Sequence, residues 1–128
     1  MAKKKILVID DEKDTALEIQ KILHETGKYE VSIETDSGKS VEAVRRVKPA
    51  FIFLDMKMPG LNGFDVIHLF EADETLKKIP VVFLTGALTK HGPTASPADD
   101  HRIGNYPYVL KPVTSQTLEG SIEKYALK

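Results

Sequence analysis

The sequence predicts an α/β fold in which a parallel sheet carries helices on both faces. Short apolar runs alternate with amphipathic helical patterns along the whole chain. Most of these runs are apolar throughout rather than at every second residue. Alternating strands and helices are typical of doubly wound α/β domains, and unbroken apolar strands are typical of parallel sheets buried on both faces.

Five segments are predicted to form the strands of this sheet. Four are short apolar runs. The second segment instead alternates apolar and polar residues, which indicates a half-exposed strand near a sheet edge. The predicted strands are Ile6–Ile9, Tyr29–Thr35, Phe51–Leu54, Val81–Leu84 and Tyr108–Leu110.

Four amphipathic segments are predicted to be helices. Gly27 is a natural end for the first, and Pro49 stops the second. Thr114 is expected to cap the last helix at its N-terminus. The predicted helices are Asp14–Thr26, Ser40–Val47, Asn62–Ala72 and Thr114–Leu127.

The segment Lys90–Asn105 breaks the alternation. It contains two prolines and two glycines, so a long amphipathic helix cannot pass through it. We expect a loop over Thr85–Ala95 and then a helix of about two turns, with Ser96 as N-cap, Arg102 in the last turn and a glycine stop.

Composition predicts one domain over residues 1–128. The chain is 41% hydrophobic and 29% charged, which suits a single core, and its net charge of −1 creates no field that favours nucleic acid or an anionic membrane. No apolar stretch approaches the roughly 18 residues that span a bilayer. The chain has no cysteine, which excludes disulfides and thiolate chemistry and agrees with an expected cytoplasmic location.

Polar residues follow four of the predicted strands at the point where each ends. Asp10 and Asp11 follow the first, Asp55 the third, Thr85 the fourth and Lys111 the fifth. The carboxyl ends of parallel strands share one sheet edge, where ligands bind in open α/β sheets. Three carboxylates, one ammonium and one hydroxyl at such an edge predict a cation-dependent phosphoryl site.

These residues stand in four motifs that carry a family resemblance. They are Ile9–Glu12, Leu54–Gly63, Leu84–Gly86 and Tyr108–Pro112. In this order the motifs resemble the receiver domain of two-component response regulators, the CheY-like family. The resemblance covers essentially the whole chain. It implies a flavodoxin-like five-stranded parallel sheet of order 2-1-3-4-5, with the departure that the fourth helix is shortened or irregular.

The resemblance also implies a Mg²⁺-dependent phosphorelay site. Asp55 would be the nucleophile that takes a phosphoryl group from a phosphohistidine. Asp11, Asp55 and the backbone carbonyl of Lys57 would bind Mg²⁺ directly, and Asp10 would act mostly through water. Carboxylates with water and phosphate oxygens are the ligands that Mg²⁺ prefers.

The resemblance implies that three further residues bind the phosphoryl group or respond to it. Lys111 would neutralise a phosphoryl oxygen, directed by a cis-linked Pro112, and Thr85 would donate a hydrogen bond to another. Tyr108 is expected to couple Thr85 to the far face as a two-state switch. Its alternative interpretation is a half-buried tyrosine on an edge strand.

The expected partners are a sensor histidine kinase or phosphotransfer protein and a downstream effector or fused output domain. We expect neither direct nucleic-acid binding nor membrane binding by this domain, and no enzymatic activity beyond self-phosphorylation from a donor and self-dephosphorylation. Whether the chain stands alone or is part of a larger regulator stays open.

Two other functions remain as alternatives. A pseudo-receiver would keep the fold and its interactions without phosphorylation. A phosphohydrolase of the haloacid dehalogenase type would place a second aspartate two residues after the nucleophile, where this chain has Lys57.

Overall fold

The strands of the computed structural model form one sheet, whose order explains where the polar residues meet. The structure describes residues 3–86 and 106–126, together with the backbone of residues 102–103. Within these residues the strands run in the order β2-β1-β3-β4-β6-β5. They are β1 (Lys4–Ile9), β2 (Tyr29–Glu34), β3 (Phe51–Asp55), β4 (Val81–Thr85), β5 (Arg102–Ile103) and β6 (Tyr106–Leu110).

Five of these strands are parallel, and they match the five that the sequence predicts. The predicted fifth strand is β6, so the expected order 2-1-3-4-5 is confirmed. The strand β5 adds a two-residue antiparallel arm, in which Arg102 pairs with Pro107 and Ile103 with Tyr106.

This arm corrects one prediction. Arg102 lies in a strand rather than in the last turn of a short helix. Pairing with β6 satisfies its backbone in place of helical hydrogen bonds. The connecting pair Gly104-Asn105 has a composition that is also typical of hairpin connections, a signal to which the helix prediction gave no weight. The predicted loop beyond residue 86 and the rest of that helix lie outside the described residues.

The four predicted helices are present, with ends shifted by no more than about two residues. They are α1 (Lys13–His24), α2 (Ser40–Val47), α3 (Gly63–Glu71) and α4 (Ser115–Tyr125). Thr114 caps α4 as predicted, because its side chain accepts a hydrogen bond from the Thr117 amide. No helix in the described ranges is long and apolar enough to cross a membrane.

Two apolar layers cover the sheet, one on each face. Phe51 and Phe53 point into the layer formed with α1 and α4, and their rings meet edge to face with centroids 4.8 Å apart. Ile52 and Leu54 point into the opposite layer, formed with α2 and α3. Since β3 is buried on both faces, its unbroken apolar sequence is explained.

Parallel registration brings the strand ends to one edge. Ile9 pairs with Leu54, Asp55 with Leu84 and Thr85 with Leu110. Asp55 and Thr85, the last residues of β3 and β4, therefore lie at the carboxyl edge of the sheet, as do Asp10 and Lys111, which follow β1 and β6.

Candidate functional site

Three carboxylates converge at this edge. One oxygen each from Asp10, Asp11 and Asp55 lies within 4.8 Å of the others. Asp10 is fully buried and Asp55 is 5% exposed, whereas Asp11 is half-buried. The backbone amide of Glu12 donates to Asp10 Oδ1 at 2.9 Å, which fixes that carboxylate. Like charges this close repel one another, so the cluster favours a cation.

Lys111 supplies the positive charge among these carboxylates. Its Nζ lies 2.9 Å from Asp10 Oδ2, 3.4 Å from Asp55 Oδ1 and 3.8 Å from Glu12 Oε1. The Lys111 amide donates to the Thr85 carbonyl at 2.9 Å, which ties the end of β6 to the end of β4. The peptide bond between Lys111 and Pro112 is cis, as the resemblance implied.

Burial and neighbouring charges shift the pKa values of Asp55 and Lys111. Burial raises the pKa of Asp55 from 3.8 to about 7, the charge of Asp10 adds to the rise, and Lys111 opposes it. Burial by itself lowers the pKa of Lys111, but the hydrogen bond and charge of Asp10, together with Asp55, outweigh it, and the net pKa is raised. A further cation would therefore favour the charged form of Asp55.

A cavity opens directly onto Asp55. It has a volume of about 170 Å³, which is enough for a small polyatomic group. Its lining brings together predicted site residues from the ends of β3, β4 and β6 and from the loop that follows β3. The lining residues are Glu12, Asp55, Met56, Lys57, Thr85, Gly86 and Lys111.

Thr85 occupies the predicted place at the end of β4. It is 7% exposed and lines the cavity with Asp55 and Lys111. Because the structure brings its hydroxyl-bearing side chain to the same cavity, Thr85 belongs to the site by position.

The loop after β3 places Lys57 beside Asp55. The amide of Met56 donates to the Leu84 carbonyl at 3.1 Å, and the amide of Gly63 donates to the Met56 carbonyl at 2.9 Å. Lys57 itself is exposed and lines the cavity. The backbone is thus anchored on the residue that precedes the expected carbonyl ligand.

Tyr108 is buried rather than half-buried. It is 6% exposed, faces the layer with α2 and α3, and pairs with Phe83 in the sheet. Nearby Tyr106 packs edge to face on Phe83, with centroids 5.8 Å apart. The Tyr106 hydroxyl donates to Glu71 at 2.7 Å, while burial, followed by that bond, raises the pKa of Tyr106 to about 12. Both aromatics of β6 therefore lie on the α3 side of the sheet.

The donor set fits a divalent cation bound by oxygen. Asp10 Oδ2 is buried, and among the described residues the Lys111 ammonium, 2.9 Å away, is the group that compensates its charge. A buried carboxylate oxygen in this state has capacity for a further positive ligand. Three carboxylates and an adjacent loop carbonyl are hard oxygen donors of the kind that Mg²⁺ binds.

Two residues near the site were not singled out by sequence reasoning. Glu12 approaches Lys111 from the outside, and Ser37 contacts the loop that carries Lys57. Glu12 stands within a recognised motif, so its position could have drawn attention. Ser37 lies in an ordinary polar turn, and no spacing in the sequence connects it to residue 57.

Taken together, the fold and this edge define a protein class: a doubly wound α/β domain that gathers three carboxylates able to bind a cation at the carboxyl edge of its sheet. Comparison with known proteins agrees. The family model described as "Response regulator receiver domain" matches residues 6–123. The chain belongs to this family of receiver domains.

Several known proteins resemble this chain in sequence or in fold. The chemotaxis protein CheY of Pseudomonas aeruginosa is 32% identical over 94% of this chain and 94% of its own. The DNA-binding response regulator MtrA of Mycolicibacterium smegmatis is 32% identical over 65% of this chain, but the match spans only 35% of that longer protein. The solved structure of Vibrio cholerae CheY4 has a TM-score of 0.77 at 22% identity, covering 96% of this chain and 98% of its own, and shows the shared fold.

Membership confirms the expected fold and the general function. The protein is a phosphoacceptor switch of two-component signalling, in a family of signalling switches rather than of typical enzymes. Receiver domains are in general Mg²⁺-dependent, and they act between kinases and downstream effectors.

Proposed function

We propose that Asp55 is the phosphoacceptor and that the carboxyl edge of the sheet assembles its Mg²⁺ site. Asp11, Asp55 and the Lys57 carbonyl would be direct ligands, and Asp10 would act through water. The observation that supports this assignment best is the cavity. It opens on Asp55, whose pKa is raised, and the Lys111 ammonium stands 3.4 Å from the Asp55 carboxylate.

In the proposed reaction, an Asp55 carboxylate oxygen attacks the phosphorus of a phosphohistidine on the donor. The P–N bond breaks, an acyl phosphate forms on Asp55, and the imidazole leaves with a proton from solvent. Bound Mg²⁺ would supply charge neutralisation between the two anionic reactants. Lys111 would hold its ammonium close to one phosphoryl oxygen, and the Thr85 hydroxyl would donate a hydrogen bond to a second phosphoryl oxygen.

The conformational response is proposed to pass through Thr85 and Tyr108. Thr85 ends β4 and is tied to β6 by the Lys111 amide, while Tyr108 lies buried on β6 beside Phe83. A shift of Thr85 toward a phosphoryl group would bias the packing of Tyr108, which is a population shift between two arrangements. The partners would be a sensor histidine kinase or phosphotransfer protein and an effector or fused output domain.

Phosphorylation by acetyl phosphate in Mg²⁺ tests the assignment. We expect the wild type to gain one phosphoryl group, read by intact mass, and Asp55→Asn to gain none. Asp14→Asn is the control, because Asp14 is an exposed carboxylate in the first turn of α1. A phosphorylated Asp55→Asn protein would place the acceptor elsewhere.

The same assay separates the two alternatives. A folded wild type that takes up no phosphoryl group would behave as a pseudo-receiver. Continuous turnover of a free phosphate ester would indicate a phosphohydrolase, whereas we expect none, because Lys57 stands where that class places its second aspartate.

A further inference from the structure

Ser37 connects the turn before α2 to the loop that follows Asp55. Ser37 is buried, at 5% exposure, and is not among the residues that line the cavity. Ser37 Oγ donates to the Pro59 carbonyl at 3.1 Å and accepts from the Leu61 amide at 3.2 Å. One hydroxyl thus uses both its donor and an acceptor position on the backbone of a single loop.

This β3–α3 loop, residues 56–62, is held at both ends and in its middle. Met56 bonds to β4 at one end, and Gly63 closes back on Met56 at the other. Between these ends the Met58 side chain, 8% exposed, packs into the apolar layer of α2 and α3. Ser37 supplies the polar anchor in the middle, so Lys57 lies between two fixed points.

Gly60 gives the anchored part of the loop a specialised backbone. Its φ of +81° lies in the left-handed region that favours glycine. It stands between the two residues that Ser37 binds, and a Cβ at this position would meet Ser37 Oγ at 3.7 Å. The turn and the hydroxyl therefore fit each other at contact distance.

We propose that Ser37 is a positioning residue that sets the Lys57 carbonyl for Mg²⁺ and thereby raises metal affinity. The inference rests on the proposed function, since it assigns a support to one ligand of that site. Without the hydroxyl, the middle of the loop loses two hydrogen bonds, and binding must then bear the cost of ordering the loop. Groups that orient metal ligands typically change affinity by about 10-fold or more when removed.

Ser40, the first residue of α2, provides a matched control three residues after Ser37. It is fully buried, and its Oγ donates to the Ser37 carbonyl at 2.7 Å rather than to the loop. The Ser40 amide donates to that carbonyl as well, so the carbonyl keeps a partner in Ser40→Ala. Both alanine variants therefore lose a buried hydroxyl, but only Ser37→Ala releases residues 59–61.

The experiment titrates Mg²⁺ into wild type, Ser37→Ala and Ser40→Ala, following amide NMR shifts and thermal melts. We expect about 10-fold weaker Mg²⁺ binding in Ser37→Ala and wild-type affinity in Ser40→Ala. Hydrogen exchange at the Leu61 amide should accelerate only in Ser37→Ala. With acetyl phosphate, the half-saturating Mg²⁺ concentration should rise, while the rate at saturating Mg²⁺ is retained.

Equal Mg²⁺ affinity in the two alanine variants would overturn the inference and leave the proposed function standing. A wild type that neither binds Mg²⁺ nor takes up a phosphoryl group would overturn the proposed function itself. If Ser37→Ala does not fold, Gly60→Ala disturbs the same turn through its positive φ. Wild-type Mg²⁺ affinity in Gly60→Ala would then overturn the inference.

Discussion

Lys111 pairs more closely with Asp10 than with Asp55: its Nζ is 2.9 Å from Asp10 Oδ2 and 3.4 Å from Asp55 Oδ1. Asp10 is fully buried, so without a metal this ammonium is its main compensation. In the metal-free protein Lys111 therefore stabilises the fold as well as facing Asp55, the proposed phosphoacceptor. A cation near Asp10 would compensate the charge of that carboxylate in place of Lys111, and the ammonium could then bind a phosphoryl oxygen.

Replacement of Lys111 should lower the stability of the fold, in addition to any effect on phosphorylation. We expect Lys111→Ala to lower the free energy of unfolding of the metal-free protein by about 3 kcal/mol, because a buried carboxylate loses its partner. Saturating Mg²⁺ should restore part of that loss. Urea unfolding with and without Mg²⁺ measures both. Lys77→Ala is the control, since the Lys77 side chain makes an exposed ion pair with Glu74, and it should change stability by less than about 1 kcal/mol. Equal loss in the two variants would contradict the role given to Lys111.

Asp11 should have the opposite effect on the metal-free fold. Asp11→Asn removes one of three clustered charges, and we expect it to stabilise the metal-free protein by about 1 kcal/mol. The same change removes a proposed metal ligand, so the variant should lose the Mg²⁺-induced rise in melting temperature that mass action gives the wild type. Thermal melts at zero and saturating Mg²⁺ test both parts. Equal wild-type melting temperatures under the two conditions would contradict the metal site.

Metal-free stability should fall as the pH rises from about 4 to about 7. The pKa of Asp55 is raised from 3.8 to about 7, so in this window the native state binds a proton that the unfolded state has lost. Stability then decreases with pH, by at most about 1.4 kcal/mol per pH unit for one proton, and the loss stops above the folded pKa. Lys111 does not oppose this trend, since its raised pKa affects stability only at higher pH.

The comparison of wild type with Asp55→Asn isolates this contribution. We expect urea unfolding between pH 4 and pH 8 to show a weaker downward trend in Asp55→Asn. Added Mg²⁺ should also flatten the wild-type curve, because a cation favours the charged carboxylate. If the two proteins keep the same slope, the titrating group is not Asp55.

The strand ends were predictable because neighbouring residues in the sequence identify each of them. An apolar run that stops at Asp10, Asp55 or Lys111 identifies both the strand and the polar residue, and the parallel sheet then brings the ends together. The same local rule placed Thr114 as the cap of α4, where its side chain accepts from Thr117.

Contacts between distant turns were not predictable in this way. Ser37 binds Pro59 and Leu61, and Tyr106 donates to Glu71 across the gap from β6 to α3. Each contact depends on how two elements pack, which no spacing along the chain records. The strand at Arg102 was missed because helix-capping signals and hairpin signals share the same glycine and polar residues.

Gly63 offers a last test, because it lets α3 start directly against the backbone at the end of β3. A Cβ at this position would lie 2.8 Å from the Asp55 carbonyl oxygen, 2.9 Å from the Phe83 ring and 3.0 Å from Met56 Cα. Backbone atoms and a buried ring cannot move away without disturbing the surrounding packing. Gly63→Ala should therefore lower the free energy of unfolding by about 2 kcal/mol and displace Asp55. Phosphorylation by acetyl phosphate should slow accordingly, which intact mass against time measures.

Gly120→Ala is the matched control, since Gly120 lies inside α4 with nothing within 4 Å of its would-be Cβ. Alanine there should raise stability by up to about 1 kcal/mol, through helix propensity alone, and leave the phosphorylation rate unchanged. The two substitutions add the same methyl group in different surroundings, so opposite signs in urea unfolding would show that close packing of α3 on β3 holds Asp55 in place. A neutral Gly63→Ala with an unchanged phosphorylation rate would mean that the end of β3 tolerates displacement and that the position of Asp55 is set by other contacts.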